Sequence, residues 1–189
     1  MDVAPPKTLE FMVAPWLASN ELVELYTPLL ANLSQTIEQP VRLNIAPDYP
    51  TLLRLLKAGE IDIAQVNARS FQALLEAENL HRYVGTVVHL NKDDKPIYGA
   101  QGLLVGTTPT QLTASSAKDF RMGLVDKRST SGFLLPSLWF NAHGFAIDDF
   151  KEVYYLGSHT KAFTALLGGK VDFIASWDGQ LTLEGARLN

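Results

Sequence analysis

The chain has 189 residues, 47% of them hydrophobic, with 16 Lys and Arg against 20 Asp and Glu and no cysteine. That composition excludes a mainly disordered chain, disulfides, thiolate metal sites and cysteine nucleophiles. A formal net charge of -4 without any Lys/Arg cluster argues against nucleic acid or an anionic membrane surface as the main partner, so an anionic ligand needs a local site.

Leu9, Phe11 and Val13 alternate with polar or softer residues and predict a strand that ends at Pro15. Leu22, Leu25, Tyr26, Leu29, Leu30, Leu33 and Ile37 then fall at helical spacing on one apolar face, with Ser19 or Asn20 as N-cap and Pro40 closing the segment. Val41 to Ile45 reads as a second strand. Asp48 caps a helix with Pro50 in its first turn and Gly59 beyond its end. Ile61 to Val66 is a third strand, Asn67 caps a helix carrying Phe71, Leu74 and Leu75, and Arg82 to Leu90 is a fourth strand. This alternation predicts a mainly parallel α/β sheet with helices on both faces. The polar stretch Asn91 to Pro96 marks a lobe boundary. Strands Tyr98 to Val105, Phe120 to Val125, Val153 to Leu156 and Val171 to Ser176 follow, with helices Ser131 to His143 and Thr160 to Leu167 between them.

No apolar stretch approaches the roughly 18 residues of a membrane helix. Met1 to Pro6 has neither the basic nor the apolar region of a signal peptide. No direct membrane insertion is expected.

The chemistry concentrates at Asp126-Lys127-Arg128-Ser129-Thr130-Ser131-Gly132, between an apolar strand and an apolar helix. Consecutive hydroxyls at a helix N-terminus, beside unpaired backbone N–H groups and the positive end of the helix dipole, make an oxyanion cradle. The same pattern also reads as a simple Ser/Thr N-cap, which needs only one of the three hydroxyls. Gly157-Ser158-His159-Thr160 opens a second helix at the next strand end, so both N-termini face the crevice where open α/β sheets bind ligands. His81, His89 and His143 lack metal-ligand spacing, and neither a metal nor a cofactor is expected. Ser131, His159 and Asp178 can be grouped as a nucleophilic triad on paper, but no Gly-x-Ser-x-Gly elbow accompanies them, and the reading is non-enzymatic. Tyr49 and Tyr98, taken singly, are core or boundary aromatics.

Leu-Glu-Phe-Met-Val-Ala-Pro-Trp (9 to 16), Ala-Pro-Asp-Tyr (46 to 49), Leu-Lys-Ala-Gly-Glu-Ile-Asp-Ile-Ala (56 to 64), Ser-Thr-Ser-Gly with its apolar run and Pro-Ser (129 to 137), Gly-Ser-His (157 to 159) and Gly-Lys-Val-Asp-Phe (169 to 173) occur in this order. The series resembles the phosphate, phosphite and phosphonate binding proteins of ABC transporters. The resemblance implies a two-lobed, type II periplasmic-binding-protein fold, with a first lobe over 1–96, a second over 97–178 and a shortened return segment over 179–189. It implies that Ser129, Thr130, Ser131 and His159 hold a phosphorus oxyanion, that the Tyr49 and Tyr98 hydroxyls reach it from the opposite wall, and that Asp178, one residue off the family position, reads an amine on the substituent. It also implies a periplasmic or extracellular location and an ABC-transporter permease as partner. The alternatives are a sensing domain fused to a signalling module and a Ser/His-dependent hydrolase.

Overall fold

The computed structural model describes residues 6–76, 82–90, 93–107 and 112–181. Strand β1 (Leu9–Val13) lies between β2 (Val41–Ile45) and β3 (Ile63–Gln65), and both pairings are parallel, with Phe11 opposite Leu43 and Ile63. Phe11, Met12 and Val13 are all buried because both faces of β1 are covered. Phe11 and Val13 pack on Leu22, Tyr26 and Leu30 of helix α1 (Ser19–Thr36). Met12 packs on Leu52 and Leu53 of α2 (Tyr49–Lys57) and on Leu74 of α3 (Ala68–Leu75).

The predicted caps Asp48 and Asn67 are in place, accepting from the Thr51 and Ser70 N–H at 2.7 and 2.8 Å. At α1 the expectation of Ser19 or Asn20 is corrected. The N-cap is Ala18, and Glu21 reaches back to accept its N–H at 2.9 Å, so a third-position carboxylate does the work of a capping side chain.

The predicted fourth strand is also corrected. Only His89–Leu90 (β4) is extended in a ladder, and it pairs antiparallel with β5 (Pro96–Ile97) as a separate two-stranded piece. Tyr83, Val84 and Val87 stand exposed along this link, and only the Tyr83 ring is seen against a helix, at Phe71 of α3, among the described residues.

A second sheet has the order β6-β9-β7-β8, from β6 (Gly102–Gly106), β7 (Arg121–Leu124), β8 (Glu152–Tyr155) and β9 (Phe173–Trp177). Strand β7 runs parallel to both neighbours, whereas β6 is antiparallel to β9. Helix α4 (Leu135–Ala142) covers one face through Phe140, which packs with Phe145, Phe150 and Met122. Helix α5 (His159–Leu167) covers the other through Ala162, Phe163 and Leu166. The architecture is the two-lobed α/β arrangement expected of a type II periplasmic binding protein. Val125, immediately after β7, packs into the core of the first lobe and joins the two.

Candidate functional site

Val125 organises the site from the backbone outward. Its N–H donates to the Gly132 carbonyl at 3.1 Å, and its carbonyl accepts the Gly157 N–H at 2.8 Å. The turns that start two helices at the carboxyl ends of β7 and β8 are thereby tied to one residue.

The first of those helices opens wide. Thr130–Leu134 forms a single π-type turn, with the Leu134 N–H reaching the Ser129 carbonyl at 3.1 Å, before α4 begins. Ser129 is the N-cap, and its buried Oγ accepts the Gly132 N–H at 3.0 Å. The first-turn N–H groups of Thr130 and Ser131 remain for a ligand, at the positive end of the helix. Gly132 is required by the close approach of this turn to the strand: a Cβ there would lie 2.4 Å from Val125 Cγ2.

His159 begins α5, behind Gly157 at φ +85° and the N-cap Ser158, whose Oγ accepts the Lys161 N–H. Its ring is buried between two hydroxyls, with Nε2 3.4 Å from Ser131 Oγ and Nδ1 3.1 Å from Ser176 Oγ. Burial pushes its pKa down to about 4, so the imidazole is neutral near pH 7. When the fully buried Ser176 hydroxyl donates to Nδ1, the ring proton sits on Nε2 and faces the Ser131 side.

These groups line a cavity of about 450 Å³ between the lobes, together with Trp16, Tyr26, Tyr49, Gln65 and Asn67 from the first lobe. Tyr49 is buried beside Ser129; burial first, and the Asp126 carboxylate second, hold its pKa well above the usual phenol range. Tyr26 is pushed up to about 12 by burial. The Trp16 indole Nε1 is buried without a well-formed acceptor and turns toward the Tyr26 hydroxyl, which it stabilises in the ionised direction.

Hydrogen bonds span the cleft beside the cavity. Thr130 Oγ1 accepts the Arg69 N–H at 3.2 Å, and Asn67 Nδ2 donates to the Arg128 carbonyl at 3.0 Å. The His159 N–H donates to the Trp16 carbonyl at 3.1 Å, and Thr160 Oγ1 donates to Glu21 at 2.9 Å.

Of the residues singled out from sequence, Tyr49, Ser129, Thr130, Ser131 and His159 converge on this cavity. Tyr98 does not: it is 87% exposed on the link between the sheets and outside the lining. Asp178 also lies outside the lining, and its carboxylate accepts the backbone N–H groups of Gln101 and Gly179 at 3.2 and 3.1 Å. Those bonds hold it at the exit of β9, beside the start of β6. Among the described residues no group of His, Asp and Glu could hold a metal ion, and no helix is long and apolar enough to cross a membrane. His81 lies outside the described residues. Sequence reasoning did not single out Trp16, Tyr26, Gln65 or Asn67 as lining. The signal was available for three of them, since Trp16, Gln65 and Asn67 sit at or just beyond the carboxyl ends of β1 and β3, where such folds bind ligands.

Residues 11–184 match the family described as the periplasmic substrate-binding protein of phosphonate ABC transporters. The chain is 26% identical over 179 residues to the phosphonates-binding periplasmic protein of Escherichia coli, covering 88% of this chain and 49% of that one. It resembles the solved structure of a binding protein component of an ABC phosphonate transporter from Pseudomonas aeruginosa, with a TM-score of 0.76, 21% identity and coverage of 93% and 58%. It equally resembles PhnD1 of Prochlorococcus marinus in complex with methylphosphonate, with a TM-score of 0.76, 20% identity and coverage of 96% and 67%. The chain spans about half the length of the Escherichia coli relative it matches.

Proposed function

The chain belongs to the family of periplasmic substrate-binding proteins of phosphonate ABC transporters, and from that premise we propose that it captures a phosphorus oxyanion between its lobes for delivery to a transporter permease. The ligand is a phosphonate, phosphite or phosphate, bound in the periplasm. One observation carries this reading: a wide helix N-terminus bearing Ser129, Thr130 and Ser131 meets the neutral ring of His159 in one cavity. A tetrahedral oxyanion needs many short donors and little competing water, and hydroxyls, backbone N–H groups and one imidazole provide them without a field of lysines.

The contact between Ser131 and His159 also invites a hydrolytic reading, which the surrounding groups oppose. The other ring nitrogen faces a serine hydroxyl, where a triad would need a carboxylate to orient and stabilise an imidazolium. The Asp178 carboxylate is committed to backbone N–H groups elsewhere. The cradle binds and releases its ligand unchanged.

Isothermal titration in phosphate-free buffer, with phosphate, phosphite and methylphosphonate, tests the proposal. Saturable binding of at least one of them without turnover is expected. A folded chain that binds none of them overturns the reading.

A further inference from the structure

Resting on the oxyanion reading, we infer that the space beside the cradle takes an uncharged, apolar arm on the phosphorus, an alkyl or aryl group, and disfavours an arm that carries an ammonium.

The cavity holds about 450 Å³, within the range of roughly 300–1,000 Å³ typical of sites for organic ligands. Four oxygen-sized groups at about 30 Å³ each occupy only about 120 Å³. An inorganic anion seated in the cradle therefore leaves most of the space to something else.

Beyond Ser129–Ser131, His159 and the uncharged polar groups of Tyr26, Tyr49, Gln65 and Asn67, the lining includes Leu25 and Leu29 of α1, Val87 and Leu90 of the link, and Leu135 at the start of α4. These aliphatic side chains come from separate elements yet surround one cavity, and each remains between 39% and 59% exposed. Exposed apolar surface gathered around a concavity marks a place where apolar ligand surface is covered. The edge of the Trp177 ring, against Trp16, completes this side of the lining.

None of the described lining residues is Asp, Glu, Lys or Arg. An ammonium on the substituent would leave water for an aliphatic wall with no carboxylate to pair it, which is costly. Asp178, the carboxylate nearest in sequence to the amine-reading position of the family, is absent from the lining and bonded to Gln101 and Gly179. The anion is held by neutral donors at one end, and the arm meets hydrocarbon at the other.

The test is a titration of the chain with three phosphonates: methyl, n-propyl and 2-aminoethyl. The last two have the same number of heavy atoms and differ in a terminal methyl against an ammonium. Propylphosphonate is expected to bind about tenfold tighter than methylphosphonate, since each buried methylene is worth roughly a factor of four at best. It should bind at least tenfold tighter than 2-aminoethylphosphonate. Leu29→Glu, at a half-exposed helix position that tolerates the change, places a carboxylate on the wall and is expected to narrow or invert the propyl-to-aminoethyl ratio. An aminoethyl arm that binds as well as propyl, a propyl arm no better than methyl, or a ratio unmoved by Leu29→Glu overturns the inference. In each of those cases binding of methylphosphonate leaves the oxyanion reading standing. Failure of all three phosphonates to bind overturns this inference, and the oxyanion reading falls with it when phosphate and phosphite also fail to bind.

Discussion

Acidification acts on one buried group whose contribution can be worked out in advance. His159 is 3% exposed and its pKa is lowered by burial to about 4, against an unfolded value of about 6.5. Between those values the unfolded chain binds a proton at this histidine that the folded chain does not, so stability rises with pH through the window and is lost as pH falls from 6.5 toward 4. From pH 7 to pH 5 the loss from this residue alone is about 2 kcal/mol. Glu10, Asp48, Asp62 and Asp172, whose pKa values are held below their ordinary carboxylate range, add to the loss at the acidic end of the window, and they do so equally in wild type and variant, so the difference between the two chains isolates His159. Urea unfolding at pH 7, 6 and 5 measures the effect in the wild type and in His159→Gln, whose amide can still bond to the hydroxyls of Ser131 and Ser176. The wild type should lose about 2 kcal/mol more than the variant over that range. Equal pH slopes in the two chains would refute the account of a neutral, desolvated imidazole. A saturating phosphonate should also flatten the wild-type slope, since an anion against the ring favours its protonated form.

Thr130→Ala removes a hydroxyl proposed to hold the anion and the acceptor for the Arg69 N–H; oxyanion affinity should fall by about 1 to 3 kcal/mol, whereas Thr130→Ser should recover most of it by titration. Gly132→Ala forces a methyl to 2.4 Å from Val125 Cγ2, and urea denaturation should show a loss of about 1 to 3 kcal/mol alongside weakened binding as the turn is pushed off the strand. Tyr49→Phe should weaken binding by about 1 kcal/mol, because its hydroxyl sits in the cavity lining beside Ser129, on the proposed reading within reach of the ligand. Tyr98→Phe, at an 87% exposed position outside the cavity, should leave affinity unchanged, and a comparable loss in both tyrosine variants would mean that the link folds over the ligand.

The cradle was legible because its signal is local. Ser129-Thr130-Ser131-Gly132 announces a helix start by its own hydroxyls, and the Gly is needed one turn later by a steric contact with the adjoining strand. The caps at Asp48 and Asn67 were legible for the same reason. Where sequence reading departed from the structure, the deciding interaction was tertiary. Leu25 and Leu29 fall at core spacing on α1, yet they are 48% exposed and face the cavity, since helical periodicity gives the same stripe to a core and to a cleft wall. Tyr98 follows a polar link whose path through space no local pattern encodes. Asp178 was placed by its position after a strand, whereas its carboxylate turns to the backbone of the neighbouring β6 entry. Ala18 caps α1 without a polar side chain because Glu21 supplies the acceptor, a role visible only once the helix start is fixed.

An acidic chain can hold an anion because the attraction is built from short-range dipoles fixed in place before the ligand arrives. The wide turn at Thr130 is held from below by Val125 and from the opposite lobe by the Arg69 N–H, while the start of α5 is held by the Trp16 carbonyl and by Glu21. These bonds leave the Ser131 hydroxyl and the His159 ring untouched, leave the Thr130 hydroxyl its own proton to donate, and limit the freedom these groups would otherwise lose on binding. Glu21 is the informative case. Its carboxylate caps α1 and accepts the Thr160 hydroxyl, so one negative charge fixes two helix starts on opposite sides of the cleft without entering the cavity. On the proposed reading, a lysine in the same space would strengthen anion capture and also slow the release that delivery to a transporter requires. Neutral donors on pinned helix ends give binding that depends on geometry, so a modest opening of the lobes is enough to dismantle the site.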